Sequence, residues 1–255
     1  MNVLIFSDLH IDTGDTFGTF QWKEKDLIYQ IEKIRRNYSV DRIILNGHIF
    51  ELLKYRFEDI KRANPRLIEY FAQKDFIYIK GNHDVLNRSG LNYYQITNSQ
   101  GQTVHIEHGH QADWFNGSKF GQTISKIGFS LLKSLSGSKI LMDIYLRIVA
   151  YEDHINHIPK KYNRIKYLSY ALKLLKEHDV VILGHTHKLE SHHTYYLNKK
   201  KRYLNCGSCS MGRFQAILLD TERLQYEMIK ESKVSIMESF KNNTLINNTL
   251  NSLSA

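Results

Sequence analysis

Four short stretches of the chain are apolar at consecutive positions, and each runs into loop-type residues: VLIFS at 3–7, RIILN at 42–46, FIYIK at 76–80 and VVILG at 180–184. Uninterrupted apolar runs of this length are the pattern of strands covered on both faces. Between the first two lies 24–37, where Leu27, Ile28, Ile31 and Ile34 recur at helical spacing. A second helical stretch covers 59–73. Strand, helix, strand, helix, strand in that order predicts an α/β core. QTVHIE at 102–107 alternates as a half-buried strand does, and 194–197, 202–205 and FQAILL at 214–219 read as further strands.

Residues 117–176 break this rhythm with long helical periodicity, as in ISKIGFSLLKSL and IKYLSYALKLLKEH. The pattern predicts a helical insertion or cap on one domain spanning 1–240. After it, 241–255 is a polar Asn/Thr/Ser-rich tail that frays. Lys133, Lys139, Asp143 and Arg147 interrupt the apolar part of the insertion, which excludes an ordinary transmembrane span there. A length of 255 residues suits a single large domain with an elaboration.

Composition narrows the setting. Hydrophobic residues make up 42% and charged residues 24%, the balance of a globular chain. Two cysteines are too few for a disulfide framework and point to a reducing compartment. VLIF at 3–6 is too short for a signal peptide and no basic stretch precedes it, so a cytoplasmic protein is expected. The net charge of +9 suits an anionic partner, whether nucleic acid, nucleotide, phospholipid or membrane surface; it equally suits a plain solvated surface. Basic residues cluster at 33–36, 160–166 and 198–202.

The chemistry lies in the residues just beyond each strand. S-D-L-H offers Asp8 and His10, N-G-H offers His48, and G-N-H-D offers Asn82, His83 and Asp84. H-G-H offers His108 and His110, and G-H-T-H offers His185 and His187. Loops after strand ends share one rim of an α/β sheet, where ligands bind. Side chains two apart on an extended segment point the same way, so D-x-H and H-x-H each predict a two-toothed grip. Mixed nitrogen and oxygen donors suit Mn, Fe, Zn or Co rather than Ca.

D-L-H at 8–10, Gly47, G-N-H-D at 81–84, H-G-H at 108–110 and G-H-T-H at 184–187 resemble the calcineurin-like metallophosphoesterase superfamily, over about residues 1–220. GHIFEL at 47–52 and HGHQAD at 108–113 are similar to its UDP-2,3-diacylglucosamine diphosphatase branch, which also carries a helical insertion. The resemblance implies a four-layer α-β-β-α sandwich with two divalent metal ions, Mn first and Fe, Zn or Co as alternatives. By position, Asp8, His10 and His187 would hold one ion, and Asn82, His108 and His185 the other, with His110 an alternative to His108. His83 would contact the phosphate or protonate the leaving oxygen, oriented by Asp84. The implied reaction is hydrolysis of a phosphodiester or pyrophosphate. The substrate would be a phosphorylated anion (a nucleotide, a nucleotide-sugar lipid or a nucleic acid), with room for peripheral membrane contact. Arg88 is the best phosphate-binding candidate, because a guanidinium grips phosphate bidentately.

One position departs from the pattern. The superfamily has an aspartate after Gly47 that bridges both metals; this chain has His48. A carboxylate has two oxygens and a negative charge, whereas a neutral imidazole offers one lone pair. His48 is therefore expected at the metal rim, with activity reduced, altered or lost.

Weaker signals carry less. C-G-S-C at 206–209 has redox spacing, but Asn205, Gly207 and Ser208 read better as a turn of the same family. His192 and His193 read as loop residues, His154 and His157 as surface, and Asp113 as an acceptor behind a ligating imidazole.

Overall fold

The computed structural model describes residues 1–15, 17–82, 90–112 and 161–232, with isolated positions between 123 and 147. Among the described residues, ten strands form two sheets. The first has the order β10-β9-β1-β2-β3 and the second β4-β5-β6-β8-β7. The strands are β1 (Asn2–Phe6), β2 (Arg42–Asn46), β3 (Phe76–Ile79), β4 (Tyr93–Thr97), β5 (Thr103–Glu107), β6 (Val180–Leu183), β7 (Leu189–Tyr196), β8 (Lys199–Cys206), β9 (Arg213–Asp220) and β10 (Gln225–Ser232). The helices are α1 (Glu24–Asn37), α2 (Phe57–Ala63), α3 (Pro65–Phe71) and α4 (Lys161–Leu174).

Side-chain alternation along the strands sets the layers. Leu4 and Phe6 of β1 pack outward with Ile43 and Leu45 against Leu27, Ile31 and Ile34 of α1 and Ile60 and Leu67 of α2 and α3. Val3 and Ile5 point the other way. With Ile44, Ile217 and Leu219 they meet Val104, Ile106, Val180, Ile182 and Leu204 of the second sheet. On the far face of that sheet, Val181, Leu183 and Tyr203 pack with Ala171 and Leu175, at the end of α4. The stack is therefore helices, sheet, sheet, helix: the expected four-layer α-β-β-α sandwich. Each wholly buried aliphatic side chain in it contributes about 1.5–3 kcal/mol.

Helix α1 falls on the predicted range. Glu24 and Asp26 in its first turn and Arg35 and Arg36 in its last complement the helix dipole. The helix expected over 59–73 is instead two. Pro65 opens α3, and a residue before proline is pushed out of the helical region; Asn64 sits at φ −133° and ψ 56°. Strands β7 and β8 form one long hairpin, well beyond the short runs expected at 194–197 and 202–205. Strands β4 and β10 have no buried apolar run to betray them: both are edge strands, and only Ile229 is buried in β10.

What positions the site is direction. β1, β2 and β3 run parallel in one sheet, and β5, β6 and β8 run parallel in the other. Their carboxyl ends open on one side, so the loops leaving them meet. Most of the expected insertion at 117–176, apart from α4, lies outside the described residues, as do the tail and His83, Asp84, Arg88, Asp113, His154 and His157. No helix among the described residues is long and apolar enough to cross a membrane.

Candidate metal centre

The loops after β1 and β2 continue side by side beyond the sheet. Asp8 N–H donates to Gly47 O, His10 N–H to His48 O, and Ile11 N–H to Ile49 O, at 3.0, 2.9 and 2.8 Å. This zipper aligns Asp8 and His10 with His48. The segments are not extended, as D-x-H and H-x-H spacing had implied. Asp8, His10, His48, His185 and His187 all have positive φ, between 51° and 68°. A left-handed turn at each donor, rather than strand alternation, aims the side chains inward. Such conformations cost non-glycine residues about 1–3 kcal/mol each and persist only where the surroundings over-determine them. Gly47 adopts φ +81°, and a Cβ there would lie 2.5 Å from the His108 ring, so only glycine lets the two loops approach.

Two groups of potential ligand atoms result, the atoms of each lying within 4.8 Å of one another. One comprises Asp8, His10, His48 and His187; the other comprises His48, His108 and His185. His48 belongs to both, and it is buried. Its ring centroid lies 4.1 Å from that of His108, 4.9 Å from His10, 5.2 Å from His185 and 6.5 Å from His187. His110 stands at the start of a 3-10 turn, its ring 5.6 Å from that of His108, and is in neither group. His192 and His193 lie on β7, where His192 pairs with Glu190 at 3.3 Å.

Hydrogen bonds assign the tautomers. Carboxylate and carbonyl oxygens only accept, so the ring nitrogens facing them carry the hydrogens. His10 Nδ1 donates to Glu51 Oε2 at 3.0 Å, His108 Nδ1 to Asn46 O at 2.7 Å, and His48 Nδ1 to Asp8 Oδ1 at 2.6 Å. In the His10 and His108 rings the lone pair is left on Nε2. That of His108 is buried with no hydrogen-bond partner, as is Nδ1 of His185. His48 differs, because its Nε2 faces a second acceptor, Asn82 Oδ1, so the ring stands between two oxygens. An imidazole backed by an acceptor on one nitrogen and bare on the other, as His108 is, is the usual state of a metal-ligating histidine.

Asp8 is the hub. Its Oδ2 accepts Ser7 Oγ–H at 2.6 Å and the His185 N–H at 3.1 Å, while Oδ1 faces His48 Nδ1 and, at 3.2 Å, His187 Nε2. Burial works against its charge, but His187, His108 and His48 outweigh it and hold the carboxyl well below the usual carboxylate range. Burial pushes His108 down to about 3 and, aided by His108, pushes His185 well below the ordinary histidine range. Both are therefore neutral near pH 7, as ligation requires.

Glu51, Lys54, Asn46 and Ser7 escaped the sequence reading. Glu51 had a signal: it is a lone carboxylate in the apolar stretch IFELL, and it is buried behind His10. Lys54 Nζ lies 3.6 Å from Glu51 Oε2. Burial works against the Lys54 charge, but Glu51 prevails and holds the ammonium above its usual range. Tyr145, within the expected insertion, packs on Phe17 at 5.2 Å between ring centroids and receives Lys54 Nζ at 5.8 Å over its ring. Cys206 and Cys209 are buried thiols, both pushed up by burial, Cys209 to about 12. Ser208 Oγ donates to Asp8 O at 3.2 Å, and Asn205 Nδ2 to Gly184 O at 2.8 Å.

A family model described as the calcineurin-like phosphoesterase superfamily domain matches residues 1–223. The chain belongs to the calcineurin-like phosphoesterase superfamily. No curated protein matches it. Among solved structures, a hypothetical protein from Pyrococcus horikoshii OT3 is similar, with a TM-score of 0.51 and 13% identity over 96% of this chain and 94% of that one. A dimetal phosphatase from Danio rerio gives 0.45 and 12% over 91% and 99% of the two chains. A predicted phosphoesterase from Streptococcus pneumoniae TIGR4 gives 0.38 and 16% over 90% and 97%. At these identities the likeness is one of fold.

Proposed function

We propose that this chain is a metal-dependent hydrolase of phosphodiester or pyrophosphate bonds, weakened by His48 at the position where its superfamily has a bridging aspartate. The observation that carries the reading is the pair of ligand groups sharing His48 at the carboxyl ends of parallel strands.

The donor set fits divalent ions of the Mn, Fe, Zn and Co type: imidazoles, one carboxylate and the Asn82 carbonyl. Asp8, His10 and His187 would hold one ion, and Asn82, His108 and His185 the other. Bound there, a divalent ion polarises a phosphoryl oxygen and lowers the pKa of water. The chain does the rest. Glu51 and Asn46 O fix the His10 and His108 rings by their hydrogen bonds. His83 is proposed as the acid for the leaving oxygen, Asp84 as its orienter and Arg88 as a phosphate contact. The net charge of +9 suits a phosphorylated anion, whether nucleotide, nucleotide-sugar lipid or nucleic acid.

A second reading, a metal- or phosphate-binding protein without turnover, is favoured by His48 itself, because an imidazole cannot screen two cations as a carboxylate does. Bis-p-nitrophenyl phosphate hydrolysis with Mn²⁺, with and without chelator, separates the two. Chelator-sensitive turnover that rises in His48→Asp supports the hydrolase. Bound metal with no turnover in either protein supports the binding reading. Nuclease action would add binding to DNA that weakens steeply with salt.

A further inference from the structure

We propose that the tip of the β7–β8 hairpin is a membrane anchor, which docks this chain on a bilayer of anionic lipid through Tyr195, Tyr196, Leu197, Lys199 and Lys200. The inference stands apart from the metal-dependent reading and does not depend on it.

The turn itself is the first argument. Leu197 and Asn198 alone join the two strands, with φ of 50° and 61°. A two-residue hairpin loop with positive φ at both positions favours Asn-Gly, because a bulky residue is strained there. Asparagine tolerates the left-handed region and leucine does not. Among the described residues Leu197 is also the most exposed large hydrophobic side chain, at 79%. A leucine that strains its turn and stays out of the core serves neither.

What surrounds the leucine is the second argument. Residues directly opposite across a hairpin share a face. Tyr195 stands opposite Lys200 on one face and Tyr196 opposite Lys199 on the other. All four are exposed, Tyr195 at 72%. Both faces therefore carry a tyrosine and a lysine just below the apical leucine. Tyrosine rings settle at the headgroup level of a bilayer, lysine stems reach the lipid phosphates, and the apical side chain enters the acyl boundary. A small apolar insertion and a basic collar each hold poorly alone and act together on an anionic surface. A nucleic acid would meet two lysines and a leucine here, where a phosphate strand calls for a row of cations.

Position is the third. β6 pairs with Arg202–Asn205 of β8, so the end of the hairpin runs past the neighbouring strand. Lys201, last of the three consecutive lysines, is buried and bound to Asp179 at 3.0 Å, which braces the base of the projecting part. β8 runs parallel to β5 and β6, so its first residue lies at the end opposite the candidate metal centre, roughly 25 Å away along the strand. An anchor there tethers the protein with that centre facing away from the bilayer.

Full-length protein is sedimented with vesicles of phosphatidylcholine alone and with vesicles of phosphatidylcholine and phosphatidylglycerol in equal parts. Expected is binding to the anionic vesicles at least roughly tenfold tighter than to the neutral ones, weakening as salt rises. Lys199→Glu with Lys200→Glu should weaken it roughly tenfold or more. Lys25→Glu with Lys61→Glu, an equal change of charge on α1 and α2, should leave it within about threefold. Leu197→Asn should keep or raise the melting temperature, because asparagine suits the turn, and yet weaken binding roughly threefold or more. No binding to either vesicle, equal losses in the two charge pairs, or a Leu197→Asn chain that melts lower or binds undiminished would overturn the anchor. Tighter binding to a DNA oligonucleotide than to anionic vesicles would overturn it in favour of a nucleic-acid surface. Metal content should be the same in every variant, so failure of the anchor is distinguishable from failure of the metal-dependent reading.

Discussion

Nδ1 of His48 lies 2.6 Å from Oδ1 of Asp8, and both side chains are buried. A carboxylate at position 48 would have faced Asp8 as a second anion needing cations to hold the pair together. The imidazole donates a hydrogen instead, so the two loops are tied to each other directly.

Removing the acceptor behind His10 should show in binding and in stability. Glu51→Ala takes away the partner of His10 Nδ1 and leaves Lys54 facing the vacated position. Affinity for ions held by His10 is expected to drop by about 10–100-fold. Stability should fall by about 3–5 kcal/mol, because a mostly buried ammonium loses its carboxylate. Metal titration followed by urea denaturation of the metal-free variant measures both, and unchanged values would deny Glu51 its orienting role.

Gly47→Ala is expected to destabilise the fold by about 2 kcal/mol or more. The new Cβ would press on the His108 ring from 2.5 Å, at a backbone φ of +81°. The ring cannot yield without losing its bond to Asn46 O. A lower urea midpoint together with weakened metal binding is the expected pair of results.

The metal-free protein should lose stability as the pH falls from about 6.5, the ordinary histidine value, toward about 3. In the folded state burial pushes His108 down to about 3, so in this window the unfolded chain takes up a proton that the folded one refuses. His185 acts in the same direction. Each contributes a fall of about 1.4 kcal/mol per pH unit. Asp8, held low when folded, contributes stability that is present above the unfolded carboxylate value and disappears as the pH falls through its folded value. Urea midpoints at about pH 7 and about pH 5 test this, and equal midpoints would count against neutral, buried rings.

Saturating metal should reverse part of that loss. An ion at about 100 times its Kd stabilises the folded state by about 2.7 kcal/mol, or about 5–10 °C in Tm for a chain of this size. Thermal denaturation with Zn²⁺ or Co²⁺, and its reversal by chelator, measures the effect.

Local pattern alone carried much of this molecule. Consecutive apolar residues at 3–6, 43–45 and 180–183 mark strands that both neighbouring layers cover, and the periodicity of Leu27, Ile31 and Ile34 marks α1, because burial on a strand or helix imposes its own period. The donors after each strand were equally plain. Edge strands β4 and β10 were not, since a half-exposed strand needs no apolar run. Helical periodicity on both sides of Pro65 masks the break it makes within 59–73. Glu51, Lys54 and Asn46 act through residues distant in sequence, which no local spacing records.

By itself, then, the sequence determined which donors exist and on which strand ends they sit, because strand formation and loop chemistry are local. Tertiary structure decided where each donor points. The left-handed turns at Asp8, His10, His48, His185 and His187 hold only because neighbouring loops enforce them, and the proton that ties His48 to Asp8 is set by a contact across forty positions of chain. Orientation and tautomer depend on groups brought together by folding, so they could be read only once the two sheets had been packed.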